Sequence, residues 1–361
     1  VGAEACVTLM LAQVNGGGAV ALDVLIPNTR DGGYHPHRVD IYVPSGDIVR
    51  SMVCMHGGTG NKRQQAFYMG FLKQYVPTGS FSASNVNWHW MQTFNCITVF
   101  PQGQACAGAN MPYSVNADGS NRLAWPTGGN PWNPGDINTI NANFPQGQTG
   151  WSNWFEWSGA DDVQFLTDLN TYISTTYGIT HSSLSGHSSG GFMTKRMWFE
   201  HPTVYAHYIT WAGPAAGYFA STPVPRALGK LLCIQGYLDQ TVGCLDYYDP
   251  TISHLYEDVW QQDPTHITRN DYAYPNRAQN HSDWRLLIDR VVAATGVTPQ
   301  QSDKVVTAAH IGERWDYKYD NGNQWLIVLT GATHDFKSIT QALGKGSLFI
   351  TAMLWVVTTL T

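Results

Sequence analysis

The chain has 361 residues, a hydrophobic share of 43%, a charged share of only 13% and a formal net charge of −6. That size suits one large α/β domain with insertions or two modest domains, and the lack of a basic stripe argues against a nucleic-acid partner. The low charge, 14 tryptophans and many small polar residues point to a secreted protein.

The opening stretch VGAEACVTLMLAQVNGGG has no basic region before its apolar run, so it does not read as a signal peptide; a start at Val1 rather than Met reads as a mature or trimmed chain. AVALDVLIP and HRVDIYVP alternate apolar and polar residues and each closes on a proline, the pattern of an antiparallel strand pair at a sheet edge. SMVCMHGGTG is a short apolar run that stops in glycines, as a buried strand does where it meets a loop. Residues 62–76 have helical period, and CITVFPQG is another buried strand. From 104 to 157 the texture turns to Gly, Asn, Pro and Trp without a period, which predicts a long loop insertion.

Helical spacing resumes in DDVQFLTDLNTYISTTYG. Val163, Phe165, Leu166, Leu169, Tyr172 and Ile173 share one face, Asp161 and Asp162 sit in the first turn, and Gly178 ends the helix. Strands YAHYITWAG and KLLCIQGYLD follow, then an insertion over about 244–320, the strand QWLIVLTGATHDF and a final apolar helix over roughly 338–358. Strands alternating with helices predict a mainly parallel sheet covered on both faces. The tail SLFITAMLWVV is too short for a bilayer span.

Between the helix and YAHYITWAG lies SLSGHSSGGFMTKRMWFEHP, which contains the pattern G-x-S-x-G centred on Ser188. On its own the pattern is an ordinary turn. Here a short segment leads in, and a helix follows with Phe192, Met193, Met197 and Trp198 to pack, which is the context of a nucleophile on a strained strand-to-helix elbow. Such a serine needs a base, and the base needs an orienting acid, in the chain order Ser, Asp or Glu, His. Asp239 lies just past one apolar strand and His334 just past the last one, and ends of parallel strands converge on one sheet edge. Asp335 adjoins His334 too closely to orient its ring, and Asp246 and Asp249 read as surface charges. His201, His207 and His310 read as ordinary structural residues.

The developing oxyanion needs preorganised donors. The expected ones are the backbone N–H of Ser189, directly after the nucleophile, and that of Gly58 in MHGGTG, with Gly57 or Thr59 as alternatives. The same loop is not a phosphate loop, since Asn61 rather than Gly precedes Lys62. Trp151, Trp154, Trp157, Trp211 and Tyr237 are candidate walls of an acyl pocket, with core packing as the alternative for the tryptophans. The six cysteines show no C-x-x-C spacing; Cys96 with Cys106 and Cys233 with Cys244 are candidate disulfides. His35-Pro-His37 and Trp88-His89-Trp90 lack the carboxylate or cysteine partners of a metal site.

Taken together, MHGG, VFPQG, WSNWF…DDVQFL, LSGHSSGGFMT, WAG, GYLDQTV and GATHDF resemble the secreted esterases of the α/β-hydrolase fold. They are most similar to the poly(3-hydroxybutyrate) depolymerase-like and feruloyl or acetylxylan esterase group. The resemblance spans roughly residues 45–245 and 325–340. It implies a single α/β-hydrolase domain over 1–361, a lid-like insertion at 244–320, and the triad Ser188, Asp239 and His334. It also implies an extracellular, monomeric hydrolase without cofactor or metal, acting on a polyester or a plant-wall ester. A serine peptidase of the same fold, or a binding protein with a dead site, are the alternatives. The chain departs from the group in the His-Ser pair around the nucleophile, in Phe336 where Trp is usual, and in the long interval between Asp239 and His334.

Overall fold

The structure is a computed structural model that describes residues 12–14, 18–26, 37–57, 60–76, 81–103, 162–213, 230–239, 305–319, 323–344 and 347–359. The loop insertion at 104–157 lies outside the described residues, with Trp151, Trp154 and Trp157. So do Gly58, Thr59, Cys6, Cys106, Cys244 and most of the segment 244–320. The chain divides into two compact units, Val1–Ser185 and Gly186–Thr361.

The strands of the first unit are β1 (Ala12–Val14), β2 (Gly18–Ile26), β3 (His37–Pro44), β4 (Arg50–Met55), β5 (Cys96–Pro101) and β6 (His181–His187). They lie in the order β1-β2-β3-β5-β4-β6. The expected antiparallel pair is β2 with β3, running from Gly18 opposite Pro44 to Ile26 opposite His37 with one register shift between Ala21 and Val24, and β1 adds an outer strand. β3 also runs antiparallel to β5, whereas β4 and β5 are parallel. Every residue of β5 and all of β4 beyond Arg50 are buried, which is why both read as unbroken apolar runs.

β6 has a different sequence logic. Its residues Ser182, Ser183 and Ser185 are buried in place of the Val and Ile usual in a central strand. Buried hydroxyls are tolerated when they are hydrogen-bonded. Ser51 Oγ donates to Ser182 Oγ at 3.0 Å, and Ser185 Oγ donates to the Val53 carbonyl at 2.9 Å. The partners come from β4, far away in sequence, so a weak strand pattern conceals a buried strand.

The helices of this unit are α1 (Lys62–Tyr68), α2 (His89–Thr93) and α3 (Asp162–Tyr177). α1 is shorter than the 62–76 expected: it is capped at its start by the Asn61 side chain and ends at Met69, with Gly70 at φ 82. In α3 the expected face is buried except for Tyr172, which is half-exposed.

A bulge in β2 between Ala21 and Val24 turns Asp23 toward α1. Lys62 bonds both Asp23 and the fully buried Asp40, and Arg63 Nε approaches Asp40 Oδ2 at 3.4 Å. Burial alone would raise the Asp23 carboxyl, but Lys62, Arg63 and Arg38 hold it below its ordinary value. This network ties the start of α1 to β2 and β3.

The second unit opens with the last two residues of β6 and α4 (Ser189–Glu200), whose Met193, Met197 and Trp198 are buried as the sequence predicts. β7 (His207–Trp211), β8 (Lys230–Gly236) and β11 (Gln324–Leu329) are adjacent and parallel, and burial of their apolar side chains at about 1.5–3 kcal/mol each anchors the unit. Two strands lie inside the segment read as an insertion: β9 (Val305–Ala308) and β10 (Glu313–Tyr319) extend the order to β8-β11-β10-β9 as an antiparallel edge. Charged residues interrupt ERWDYKY although Trp315 and Asp316 are buried, and β9 is an exposed edge strand of four residues, so neither gives the continuous run of a buried strand.

The single terminal helix expected over 338–358 is two helices, α5 (Phe336–Leu343) and α6 (Ser347–Thr358). Gly344, at φ 97, caps the first and prevents one continuous helix. No helix among the described residues is long and apolar enough to cross a membrane. The parallel strands, the helices between them and the strand-to-helix turn at Ser188 give the chain the α/β-hydrolase fold, with antiparallel pairs at its outer strands.

The expected disulfides do not form at the described cysteines. Cys54, Cys96 and Cys233 are free, buried thiols. Each sits within a strand whose neighbours enclose it, and Cys96 Sγ reaches the Ile97 carbonyl at 3.3 Å. Burial pushes the Cys54 thiol up to about 12 and raises Cys96 as well.

Candidate active site

β6 ends at His187 and α4 begins at Ser189, so Ser188 alone forms the turn. Its backbone lies at φ 51 and ψ −118, a conformation that costs a non-glycine residue about 1–3 kcal/mol unless its surroundings impose it. Two features impose it. The Ser188 N–H donates to the Trp211 carbonyl at 2.9 Å, and a Cβ at Gly186 would lie 2.2 Å from the backbone of Gly190. Only glycine at 186 lets strand and helix close this tightly around the serine.

His334 lies between β11 and α5 in a turn held by several backbone groups. The Thr333 N–H donates to Ser338 Oγ at 3.0 Å, and the Leu238 N–H donates to the Ala332 carbonyl at 2.9 Å. A Cβ at Gly236 would stand 2.5 Å from the Thr333 carbonyl, so the end of β8 and the histidine turn meet backbone to backbone. That contact brings Asp239, three residues past β8, beside the ring.

The structure brings Ser188, His334 and Asp239 together. His334 Nδ1 is 2.8 Å from Asp239 Oδ2, and His334 Nε2 is 2.9 Å from Ser188 Oγ. A carboxylate only accepts, so Nδ1 carries the proton and Nε2 is left to accept from the serine hydroxyl. Asp239 is buried, at 4% exposure, and its Oδ2 takes a second hydrogen bond from Gln235 Nε2 at 2.9 Å. The His334 side chain keeps 16% exposure. Asp335, the rival acid, is the exposed N-cap of α5.

The other candidates divide. Ser189 is the first residue of α4, and the leading N–H groups of a helix have no intrahelical acceptor, so its backbone donor is of the right kind. Trp211 is fully buried and stands edge-on to Phe336, with ring centroids 5.5 Å apart. It is therefore a core residue behind the elbow and not an open pocket wall. Tyr237 is half-exposed and packs against Trp315 at 5.4 Å.

In the first unit, His56 heads the glycine loop that contains Gly58. Its Nδ1 donates to the Gly57 carbonyl at 2.7 Å, while its Nε2 accepts from Gln102 Nε2 at 2.9 Å and from the Gly103 N–H at 3.0 Å. Burial lowers its pKa to about 4, although the Gly57 bond works in the opposite direction, so the ring stays neutral. Gln102 also accepts from the Lys62 N–H at 3.1 Å, and the Gly60 N–H donates to the Gly57 carbonyl at 3.0 Å. His37 is a structural residue as well: Nδ1 bonds the Gln102 carbonyl at 3.0 Å and the ring stacks on Phe165.

Sequence reasoning missed two contributors. Gln235 is a polar residue in the apolar run KLLCIQG, four positions before the acid, and that spacing was the available signal. His187 carried no signal beyond its place in the elbow, yet its Nε2 lies 2.9 Å from the His334 carbonyl.

No protein-family model matches the chain, and no curated protein matches it. Among solved structures the chain is similar to an acetyl xylan esterase from Aspergillus awamori, at 14% identity, with 94% of this chain and 99% of that one covered and a TM-score of 0.49. It is similar to an S-formylglutathione hydrolase from Agrobacterium tumefaciens at 11% identity, covering 98% and 99%, with a TM-score of 0.47. It is also similar to Porphyromonas gingivalis dipeptidyl peptidase 4 at 12% identity, covering 95% of this chain and 36% of that one, with a TM-score of 0.46. Likeness of this degree says nothing about activity, and the fold rests on the strand pairing and the elbow described above.

Proposed function

We propose that the chain is a serine esterase that hydrolyses carboxylic esters through an acyl-enzyme. The observation that supports this best is the strained Ser188, whose Oγ lies 2.9 Å from His334 Nε2 while Nδ1 of the same ring lies 2.8 Å from Asp239. In this reading Ser188 Oγ attacks the ester carbonyl as His334 takes its proton, and Asp239 balances the imidazolium charge. The Ser189 N–H, with Gly58 as the second donor expected from sequence, receives the oxyanion; one such donor is worth about 10²–10³ in rate. His334 then protonates the departing alkoxide, and a water deprotonated by the same ring releases the acid and restores Ser188.

None of these steps calls on a metal or cofactor. The natural substrate belongs to the same proposal: a polyester, such as a polyhydroxyalkanoate or aromatic polyester, or a feruloyl or acetyl ester of plant wall polymer. Secretion and a monomeric state complete the reading, on composition and resemblance.

The test is hydrolysis of p-nitrophenyl acetate alongside methyl ferulate, acetylated xylan, hydroxybutyrate polymer and terephthalate esters, by the wild type and by Ser188→Ala. The expected result is turnover of at least the activated ester, with a loss of about 10⁴-fold or more in the variant. A folded wild type that turns over none of these esters overturns the proposal.

A further inference from the structure

The residue in front of the nucleophile makes a contact that the triad chemistry does not use. His187 Nε2 lies 2.9 Å from the His334 carbonyl oxygen. A carbonyl only accepts, so this nitrogen carries a proton and donates. The His187 ring stands 5.3 Å from the His334 ring and meets Phe336 edge-on at 5.2 Å. Phe336, two residues after His334, is buried and stands perpendicular to Trp211 at 5.5 Å. Trp211 in turn accepts the Ser188 N–H on its carbonyl at 2.9 Å.

These contacts close a circuit. It runs from the elbow through His187 to the backbone of the base, on through Phe336 to Trp211, and from the Trp211 carbonyl back to the nucleophile. We infer that His187 is a positioning residue: it fixes the turn bearing His334 to the strand end bearing Ser188, so that nucleophile and base move as one body. The inference deepens the esterase reading and rests on it for its kinetic consequence, but the geometric claim stands apart from turnover.

The physical need is plain. His334 lies in a turn outside any helix or strand, and its ring must keep a hydrogen bond on each nitrogen at once. Misplacement of a reacting group by about 1 Å costs on the order of 10²-fold in rate. Asp239 holds the ring at Nδ1 and Ser188 meets it at Nε2, but neither bond fixes the backbone of the turn that carries the ring. The bond from His187 holds the backbone of the same residue. The fully bonded arrangement therefore constrains His334 from both ends.

Three substitutions separate this from simple packing. His187→Phe keeps an aromatic ring against Phe336 and removes the donor, His187→Ala removes both, and His187→Gln restores an N–H donor at similar reach. The kinetic expectation is a fall in kcat of about 10- to 100-fold for the Phe and Ala variants, with KM within about twofold, and recovery in the Gln variant to within about threefold. A second measurement does not depend on turnover: the low-field proton resonance of the His334 Nδ1–H in each folded variant. It is expected to persist in the wild type and the Gln variant and to broaden into solvent exchange in the Phe variant. A Phe variant with wild-type kcat and an unchanged resonance overturns the inference, as does a Gln variant no better than Phe. A wild type that turns over no ester while its resonance responds as expected removes the esterase reading and leaves the positioning role standing.

Discussion

His56 and His334 both sit just beyond the end of a buried strand, and both have each ring nitrogen in a hydrogen bond. Their partners differ in kind. His56 Nε2 accepts from the Gln102 amide and the Gly103 N–H, groups that do not release protons, and its Nδ1 donates to a neutral carbonyl. Complete burial then lowers its pKa to about 4, and the ring is a fixed neutral strut for the glycine loop. His334 Nε2 faces a hydroxyl, its Nδ1 faces a carboxylate able to balance a positive ring, and its edge reaches solvent. The difference teaches that a bonded histidine after a strand becomes a base only when one partner can give a proton and the other can stabilise the charge that results.

The largest effect comes from making His334 resemble His56. Asp239→Asn removes the counter-charge and leaves an amide beside Nδ1, so kcat on an activated ester should fall by about 10⁴-fold while the thermal midpoint stays close to wild type. A fall of less than about tenfold would contradict the contrast between the two rings.

The next tests the structural character of the first unit. Lys62→Met leaves the fully buried Asp40 without its lysine, and losing one partner of a buried ion pair costs about 3–5 kcal/mol. Equilibrium urea unfolding measures it, and a change below about 1 kcal/mol would show that Arg63 alone suffices for Asp40.

The smallest effect is a pH dependence. His56 binds its proton near 6.5 when unfolded and only at about 4 when folded, so between those values the unfolded state holds more protons. Its contribution to stability is therefore complete above pH 6.5 and is lost as the pH falls toward 4, amounting to about 3 kcal/mol in all. His56→Gln should flatten that part of the stability profile measured between pH 4 and 7. An unchanged slope in the variant would assign the acid sensitivity to other groups.

Much of the site was legible in the sequence because its parts announce themselves locally. Ser188 stands between glycines before a helix, and Asp239 and His334 each follow an apolar run that ends abruptly. Gly186 belongs to the same local signal, whereas the close backbone approach at Gly236 becomes visible only once the His334 turn is placed against it. What remained hidden depends on partners distant in the chain. The buried serines of β6 look polar until Ser51 and Val53 are placed beside them, and the donation from His187 to the His334 carbonyl spans 147 positions. The pair of β9 and β10 escaped because β9 has only four residues, all exposed, and charged residues break the pattern of β10. The disulfides expected from spacing are not seen at the described cysteines: Cys96 and Cys233 are free thiols buried within β5 and β8.

The central claim is that Ser188 is an activated nucleophile. It is tested most directly by treating the native protein with a fluorophosphonate probe and mapping the adduct by peptide mass spectrometry, beside the His334→Gln variant. Stoichiometric labelling confined to Ser188 in the wild type, and slowed by orders of magnitude in the variant, is the predicted result. Folded wild-type protein with an unlabelled Ser188, or equal labelling in the variant, would contradict it.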